Sequence, residues 1–182
     1  LDFAQLEKGR LAVASAPFSV RALVESTIPL VAAAAEERGN CVEVRIADDL
    51  PRQILGDEGR LRQVLLNLLS NAVKYAPRAP DITIRGWEED GFVFLSVKDE
   101  GVGIDAEDVP KLFQPYFRAR TSTGIAGTGI GLSLVKQIVT LHDGDIFVES
   151  ERGKGTCFTL VLPVQGPVIP ETIEPAPEVS VA

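Results

Sequence analysis

One stretch limits the possible folds of this chain more than any other: Asp57 to Tyr75, DEGRLRQVLLNLLSNAVKY. Stepped at roughly 100° per residue, Leu61, Val64, Leu65, Leu68, Leu69 and Ala72 fill one broad apolar arc. Arg60, Gln63, Asn67, Ser70, Asn71 and Lys74 fill a narrow polar arc opposite. The spacing predicts a helix capped by Asp57 and packed on the core by its wide face. Its polar edge is unusual. A surface helix normally mixes charges of both signs there; here two amides and an ammonium, Asn67, Asn71 and Lys74, stand in line and end at Tyr75. Amide oxygens ligate hard cations, and an ammonium meets a phosphate as a point charge. The same edge also suits a plain solvated face, so the helix alone leaves both readings open.

A length of 182 residues with 45% apolar content is enough for one sizeable core. The net charge of -8, with no basic block, argues against nucleic acid or an anionic membrane as the main partner. No apolar run approaches the ~20 residues of a membrane span. Cys41 and Cys157 are far apart and in no metal-like spacing; the expectation is two free, buried thiols in a reducing cytoplasm. The chain has no methionine and begins at Leu1 in mid-pattern, so it reads as a piece of a longer protein whose sensor or anchor would lie upstream.

The remaining elements follow from local signals. Residues 1–10 resemble the tail of a helix stopped at Gly9. LAVASAPFSV offers a short extended segment ended by Pro17, and Ser19 is placed to cap a helix over Val20 to Arg38, kinked or divided by Pro29 and ended by Gly39 and Asn40. CVEVRIA alternates as a half-buried strand, and DDLP is a turn. Ile82 to Val97 reads as a hairpin turning at Glu89–Gly91. Gly101 to Gly127 is a long Gly, Thr and Ser-rich loop with one helical segment near Ala106 to Phe113; loops this long in compact domains are usually functional lids. GLSLVKQIVTLH is a helix, and DGDIFVESERGKGTCFTLVLP a hairpin turning at Arg152–Gly155. Residues 164–182, acidic and proline-rich, read as a disordered linker. Hairpins mixed with helices predict an α+β fold, a two-layer α/β sandwich with a mixed sheet, rather than a doubly wound parallel sheet.

Three further motifs carry chemistry. Asp99-Glu100-Gly101-Val102-Gly103 ends an apolar strand; a carboxylate there accepts from an exocyclic amine, and the glycines let the backbone approach a flat ligand. A strand end followed by a tight turn would look similar. Gly127-Thr128-Gly129-Ile130-Gly131-Leu132 opens a helix, so its N–H groups and the helix dipole favour phosphate. A polar loop precedes it and Gly-Lys-Ser/Thr is missing, so it is neither a Rossmann fingerprint nor a P-loop. Leu112-Phe113-Gln114-Pro115-Tyr116-Phe117-Arg118-Ala119-Arg120 lies within the lid; its aromatics can anchor a moving loop or staple it locally, and Arg118 and Arg120 are candidate phosphate or partner contacts.

In order and spacing these segments resemble the N, G1, F and G2 boxes of the ATP-binding catalytic domain of sensor histidine kinases, in the superfamily shared with DNA gyrase, Hsp90 and MutL. The likeness covers about Phe18 to Pro163. It implies ATP and Mg2+ as ligands, with Asn71, helped by Asn67, on the metal and Lys74 on phosphate oxygens, these three forming the catalytic set. Tyr75 would pack near adenine or ribose. Asp99 would accept from the adenine amine with Thr156 nearby through water, over a floor shaped by Gly101 and Gly103. Ile104, Arg118, Thr128, Ile130 and Leu132 would line the nucleotide, and Gly127, Gly129 and Gly131 would frame the lid hinge. The resemblance makes residues 1–10 the end of the second dimerisation helix and residues 11–163 the catalytic domain. Its partners would be the chain's own dimerisation domain in a homodimer and a response-regulator receiver domain, in a cytoplasmic setting.

Two departures bear on the reaction. The phosphoacceptor histidine is missing; the one histidine, His142, ends the last long helix, where a structural role is expected. One turn before Asn71, where ATP-hydrolysing relatives place a glutamate base, stands Asn67, which takes no proton at neutral pH. A neutral imidazole already carries a lone pair, so the site favours transfer to histidine. The alternatives are a nucleotide-binding regulatory module without transfer and an ATPase of the gyrase or Hsp90 type.

Overall fold

The computed structural model describes residues 13–76, 81–125 and 127–167. Among them the elements run β1 (Ala16–Phe18), α1 (Val20–Glu37), β2 (Cys41–Ile46), β3 (Ile54–Gly56), α2 (Glu58–Tyr75), β4 (Asp81–Glu89), β5 (Phe92–Asp99), α3 (Gly131–Leu141), β6 (Asp145–Glu151) and β7 (Gly155–Pro163). Five strands form one sheet in the order β2-β4-β5-β7-β6. Only the β2–β4 pair is parallel; β4–β5, β5–β7 and β6–β7 are antiparallel. β1 and β3 make a separate antiparallel pair. The three helices pack on one face of the mixed sheet, the two-layer sandwich expected from the sequence.

α2 is the hub. Val64, Leu65 and Leu69 are fully buried and meet Val20, Leu23 and Val24 of α1, Ile138 and Val139 of α3, and Ile84 and Leu95 of the sheet in one core. Each such side chain contributes about 1.5–3 kcal/mol on burial. Asp57 caps α2 by accepting from Arg60 N–H at 3.0 Å, and its other oxygen accepts from Ala14 N–H at 3.0 Å. Its own N–H donates to Nε2 of His142 at 2.9 Å. An N–H can only donate, so Nε2 is unprotonated, and Nδ1–H donates to Ile138 C=O at 2.8 Å. This buried imidazole therefore ties the end of α3 to the start of α2.

Ser19 caps α1 through Ala22 N–H at 3.2 Å. Gly39, at φ +71, reverses the chain at the other end, with Gly39 N–H on Glu36 C=O at 3.0 Å and Asn40 N–H on Ala35 C=O at 2.9 Å, a Schellman closure. The Asn40 side chain then donates to Ala76 C=O at 2.8 Å and so fixes the end of α2 as well. Pro29 does not divide α1, which stays continuous through it; burial of Val24, Thr27 and Val31 on its two sides offsets the missing backbone bond. Asp90 and Gly91, both at positive φ, turn the β4–β5 hairpin in the backbone conformation such a two-residue loop favours. The face of the sheet away from the helices carries Trp87 stacked on Phe94 at 5.2 Å.

Several expectations are corrected. The helical segment near Ala106 to Phe113 is only a 3-10 turn over Val109–Lys111; Pro110 has no N–H to give an α-helix, and the Asp108 carboxylate is engaged elsewhere, accepting from Arg120 N–H. Cys41 is exposed and Cys157 half-buried: both face away from the helices, and Cys41 sits on the edge strand. β3 was not anticipated. Residues 164–167 stay on the domain rather than beginning a linker, with Leu55 N–H on Val164 C=O at 3.1 Å. The expected dimerisation helix at 1–10 and the tail from 168 lie outside the described residues.

Candidate functional site

The polar edge of α2 forms one wall of a cavity of about 350 Å³, within the size range of small-molecule sites. Asn67, Asn71, Lys74 and Tyr75 all line it. Asn71 Nδ2 donates to Asn67 Oδ1 at 3.3 Å, which sets the Asn71 amide and leaves its own oxygen for another partner. Lys74 Nζ lies 5.2 Å from the Tyr75 ring centroid. The glycines opposite are there for space: a Cβ on Gly131 would stand 2.5 Å from Asn67 Nδ2, and one on Gly127 2.8 Å from Lys74 Nζ.

The opposite wall is the end of β5. Asp99 is 6% exposed, and burial pushes its carboxyl above the ordinary range, opposed by backbone N–H bonds from Gly101 and Thr156. The Gly101 N–H bond is 2.8 Å. Gly101 and Gly103 seat the following loop against neighbouring backbone. A Cβ on Gly101 would meet Tyr75 C=O at 2.2 Å, and one on Gly103, at φ +65, Glu151 C=O at 2.0 Å. Val102 N–H donates to Tyr75 C=O at 3.0 Å and Gly153 N–H to Val102 C=O at 2.8 Å. Carboxylate, aromatic ring and β6–β7 turn are thus held as one rigid unit. Thr156 sits directly opposite Asp99 in the β5–β7 register and lines the cavity too.

The lid closes the third side with Leu112, Phe117, Arg118, Ala119, Thr121, Ser122, Gly127, Thr128 and Gly129. Arg118 donates to the carbonyls of Ser122 and Ile125, folding the lid on itself while still reaching the cavity. Arg120 does not line it. Its guanidinium meets Asp105, Glu107 and Asp108, and its N–H donates to Asp108 Oδ2 at 2.9 Å. That backbone bond, first, and the guanidinium beside it hold the Asp108 carboxyl below the usual range. Phe113 packs edge-on to Phe158 with centroids 6.5 Å apart, a hydrophobic staple, while Tyr116 is 62% exposed. Tyr116 N–H donates to Gly129 C=O at 2.9 Å, closing the lid's base.

Of the site residues named from sequence, Gly101, Ile130 and the candidate phosphate contact Arg120 do not line the cavity. Gly101 packs beneath Tyr75, and Ile130 precedes α3, its carbonyl taken by Leu134 N–H and Ser133 Oγ. Val102, Leu112, Thr121, Ser122 and Phe158 were missed. Phe158 was accessible to reasoning, being two residues beyond Thr156 on the same face of a strand; the lid residues carry no periodic signal.

Among the described residues no cluster of three His, Cys, Asp or Glu side chains is placed to hold a metal. The donors at the α2 edge are neutral amides, which suit a hard cation that keeps waters and takes its remaining ligands from phosphates. A Cβ at Gly131 would fill the space against the Asn67 amide, whose three outer atoms all lie within 3.0 Å of it, while one at Gly127 would meet the movable Lys74 ammonium.

The family profile for histidine kinase-, DNA gyrase B- and HSP90-like ATPases matches residues 56–166, from the last residue of β3 to just beyond β7. The chain belongs to this family. It is similar in sequence to the circadian input-output histidine kinase CikA of Synechococcus elongatus, 36% identical over 98% of this chain and 24% of that protein. Full-length ShkA, solved with AMPPNP, superposes with a TM-score of 0.76 at 30% identity, covering 86% of this chain and 32% of that one. The nucleotide-free catalytic domain of the histidine kinase ThkA gives a TM-score of 0.72 at 26% identity, over 83% of this chain and 96% of that domain. The chain thus spans about a quarter of the curated relative's length. Among the described residues no helix is long and apolar enough to cross a membrane.

Proposed function

We propose that this ATPase-family domain binds ATP with magnesium and donates the γ-phosphoryl group to a histidine on a dimerisation domain of the same protein, as the catalytic domain of a sensor histidine kinase. The observation that carries the reading is one cavity joining a buried carboxylate, an amide-amide-lysine edge and a glycine-rich helix start. On this reading Asp99 accepts from the adenine amine and Tyr75 flanks the base. Lys74 and the N–H groups before α3 hold phosphate oxygens. Asn71, oriented by Asn67, would hold magnesium, which would supply positive charge to offset that of the phosphates. The lid excludes water, and positioning supplies most of the catalysis.

Asn67 takes no proton, so nothing at that position activates water; a neutral imidazole brings its own lone pair. His142 is not the acceptor, because both its ring nitrogens are engaged within the core. The partners on this reading are the dimerisation domain of a homodimer and a receiver domain, in the cytoplasm. Calorimetry with a non-hydrolysable ATP analogue and magnesium should give one binding site, lost in Asn71→Ala of unchanged melting temperature. Mixed with dimerisation helices and labelled ATP, the chain should produce acid-labile phosphohistidine. Steady phosphate release without it would replace transfer by hydrolysis.

A further inference from the structure

Asp99, Thr156 and Ser150 form one row across three strands. Asp99 on β5 is opposite Thr156 on β7, and Thr156 is opposite Ser150 on β6. Ser150 is not part of the cavity wall, yet its hydroxyl has three close partners. Ile104 N–H donates to Ser150 Oγ at 2.9 Å. Gly155 C=O lies 2.9 Å from the same oxygen, and Thr156 Oγ1 lies 2.8 Å from it.

A hydroxyl has one proton and two lone pairs, so these contacts admit one arrangement. A carbonyl carries no proton, and Ser150 must give its hydrogen to Gly155. Ile104 N–H fills one lone pair. The other is filled by the Thr156 hydroxyl proton, which therefore points away from the cavity. Thr156 Oγ1 then shows only lone pairs to whatever lies beside Asp99, and ionised Asp99 is likewise an acceptor only.

We propose that Ser150 is a positioning residue for base selectivity: by taking the Thr156 proton it makes the wall beside Asp99 an all-acceptor surface that selects an exocyclic amine and rejects a carbonyl in its place. The inference rests on the ATP-binding reading and adds to it a residue that touches no ligand. In a site of fixed hydrogen-bond polarity, a ligand presenting an acceptor to an acceptor leaves both unpaired in a dry cavity. With Ser150 removed, the Thr156 hydroxyl turns and donates to a carbonyl.

The test compares ATP with inosine triphosphate, which carries a carbonyl where ATP has its amine, by calorimetry on the whole chain with magnesium. The wild type should prefer ATP. Ser150→Ala should narrow the ATP-to-ITP affinity ratio about 3- to 10-fold, the span of one net hydrogen bond, mainly by improving ITP. Ser150→Thr, which keeps the hydroxyl, should retain the wild-type ratio. Thr156→Val should narrow the ratio on its own, and adding Ser150→Ala to it should change the ratio no further. An unchanged ratio in Ser150→Ala, or equal weakening of both nucleotides, overturns the inference and leaves ATP binding standing. Should Ser150→Ala not fold, an unchanged ratio in Thr156→Val overturns it equally. A wild-type chain that binds neither nucleotide overturns the ATP-binding reading and this inference together.

Discussion

Asp99 shows how one side chain trades stability for recognition. Its carboxyl is held above the ordinary value near 3.9 by burial. The folded state therefore holds the proton more tightly than the unfolded one, and stability falls as pH rises through the folded value. At neutral pH the buried charge is a penalty. Asp99→Asn should thus melt no lower than the wild type above pH 6 by scanning calorimetry, while losing about 10- to 100-fold in ATP affinity as one charge-assisted bond goes. In the wild type, affinity should fall with acidity at a midpoint above the usual aspartate range; a midpoint at or below it would separate Asp99 from the ligand. This residue was legible because a carboxylate at a strand end before two glycines is an uncommon local pattern. The Ser150 contact was not, since it depends on a strand register that no local spacing encodes.

Elements divide by how much of their cause is local. α2 was readable because six apolar positions, Leu61, Val64, Leu65, Leu68, Leu69 and Ala72, recur on one face and a cap precedes them. β3 was not, because its three residues exist as a strand only through pairing with β1, as in Pro17 opposite Leu55. The lid lay between: its length was plain, but its shape comes from long-range polar ties. Asp108, 4% exposed, anchors the Arg120 backbone across twelve residues at 2.9 Å. Asp108→Asn should raise the nucleotide off-rate in stopped-flow displacement with little change in melting temperature. The Arg120–Glu107 pair is exposed on both sides and should add a salt-sensitive part to that rate. The Asp108 carboxyl is held low, so its contribution is present above the ordinary carboxylate range and is lost as pH falls through the folded value. Equal off-rates in wild type and variant would remove Asp108 from lid control.

At the scale of the molecule, the helix layer and the cavity share one joint. His142 accepts from Asp57 and donates to Ile138, so the end of α3 fixes the start of α2, whose far end carries the amides of the site. His142→Ala empties a buried site and leaves the part-buried Asp57 N–H without its acceptor, a cost of about 1–3 kcal/mol, and should lower the melting temperature by roughly 3–10 °C. A wild-type melting curve would reduce this contact to packing. The two thiols differ in the same structural sense. Cys157 is half-buried, and burial pushes its thiol up; Cys41 lies exposed on the edge strand β2, and no residue of β2 lines the cavity. Maleimide should therefore attach once per chain within minutes, at Cys41, and leave ATP affinity unaltered. Cys41→Ser should abolish that fast labelling, whereas Cys157→Ser should not. The sheet's open rim thus offers a ready chemical handle for a fluorophore or tether, outside the cavity wall.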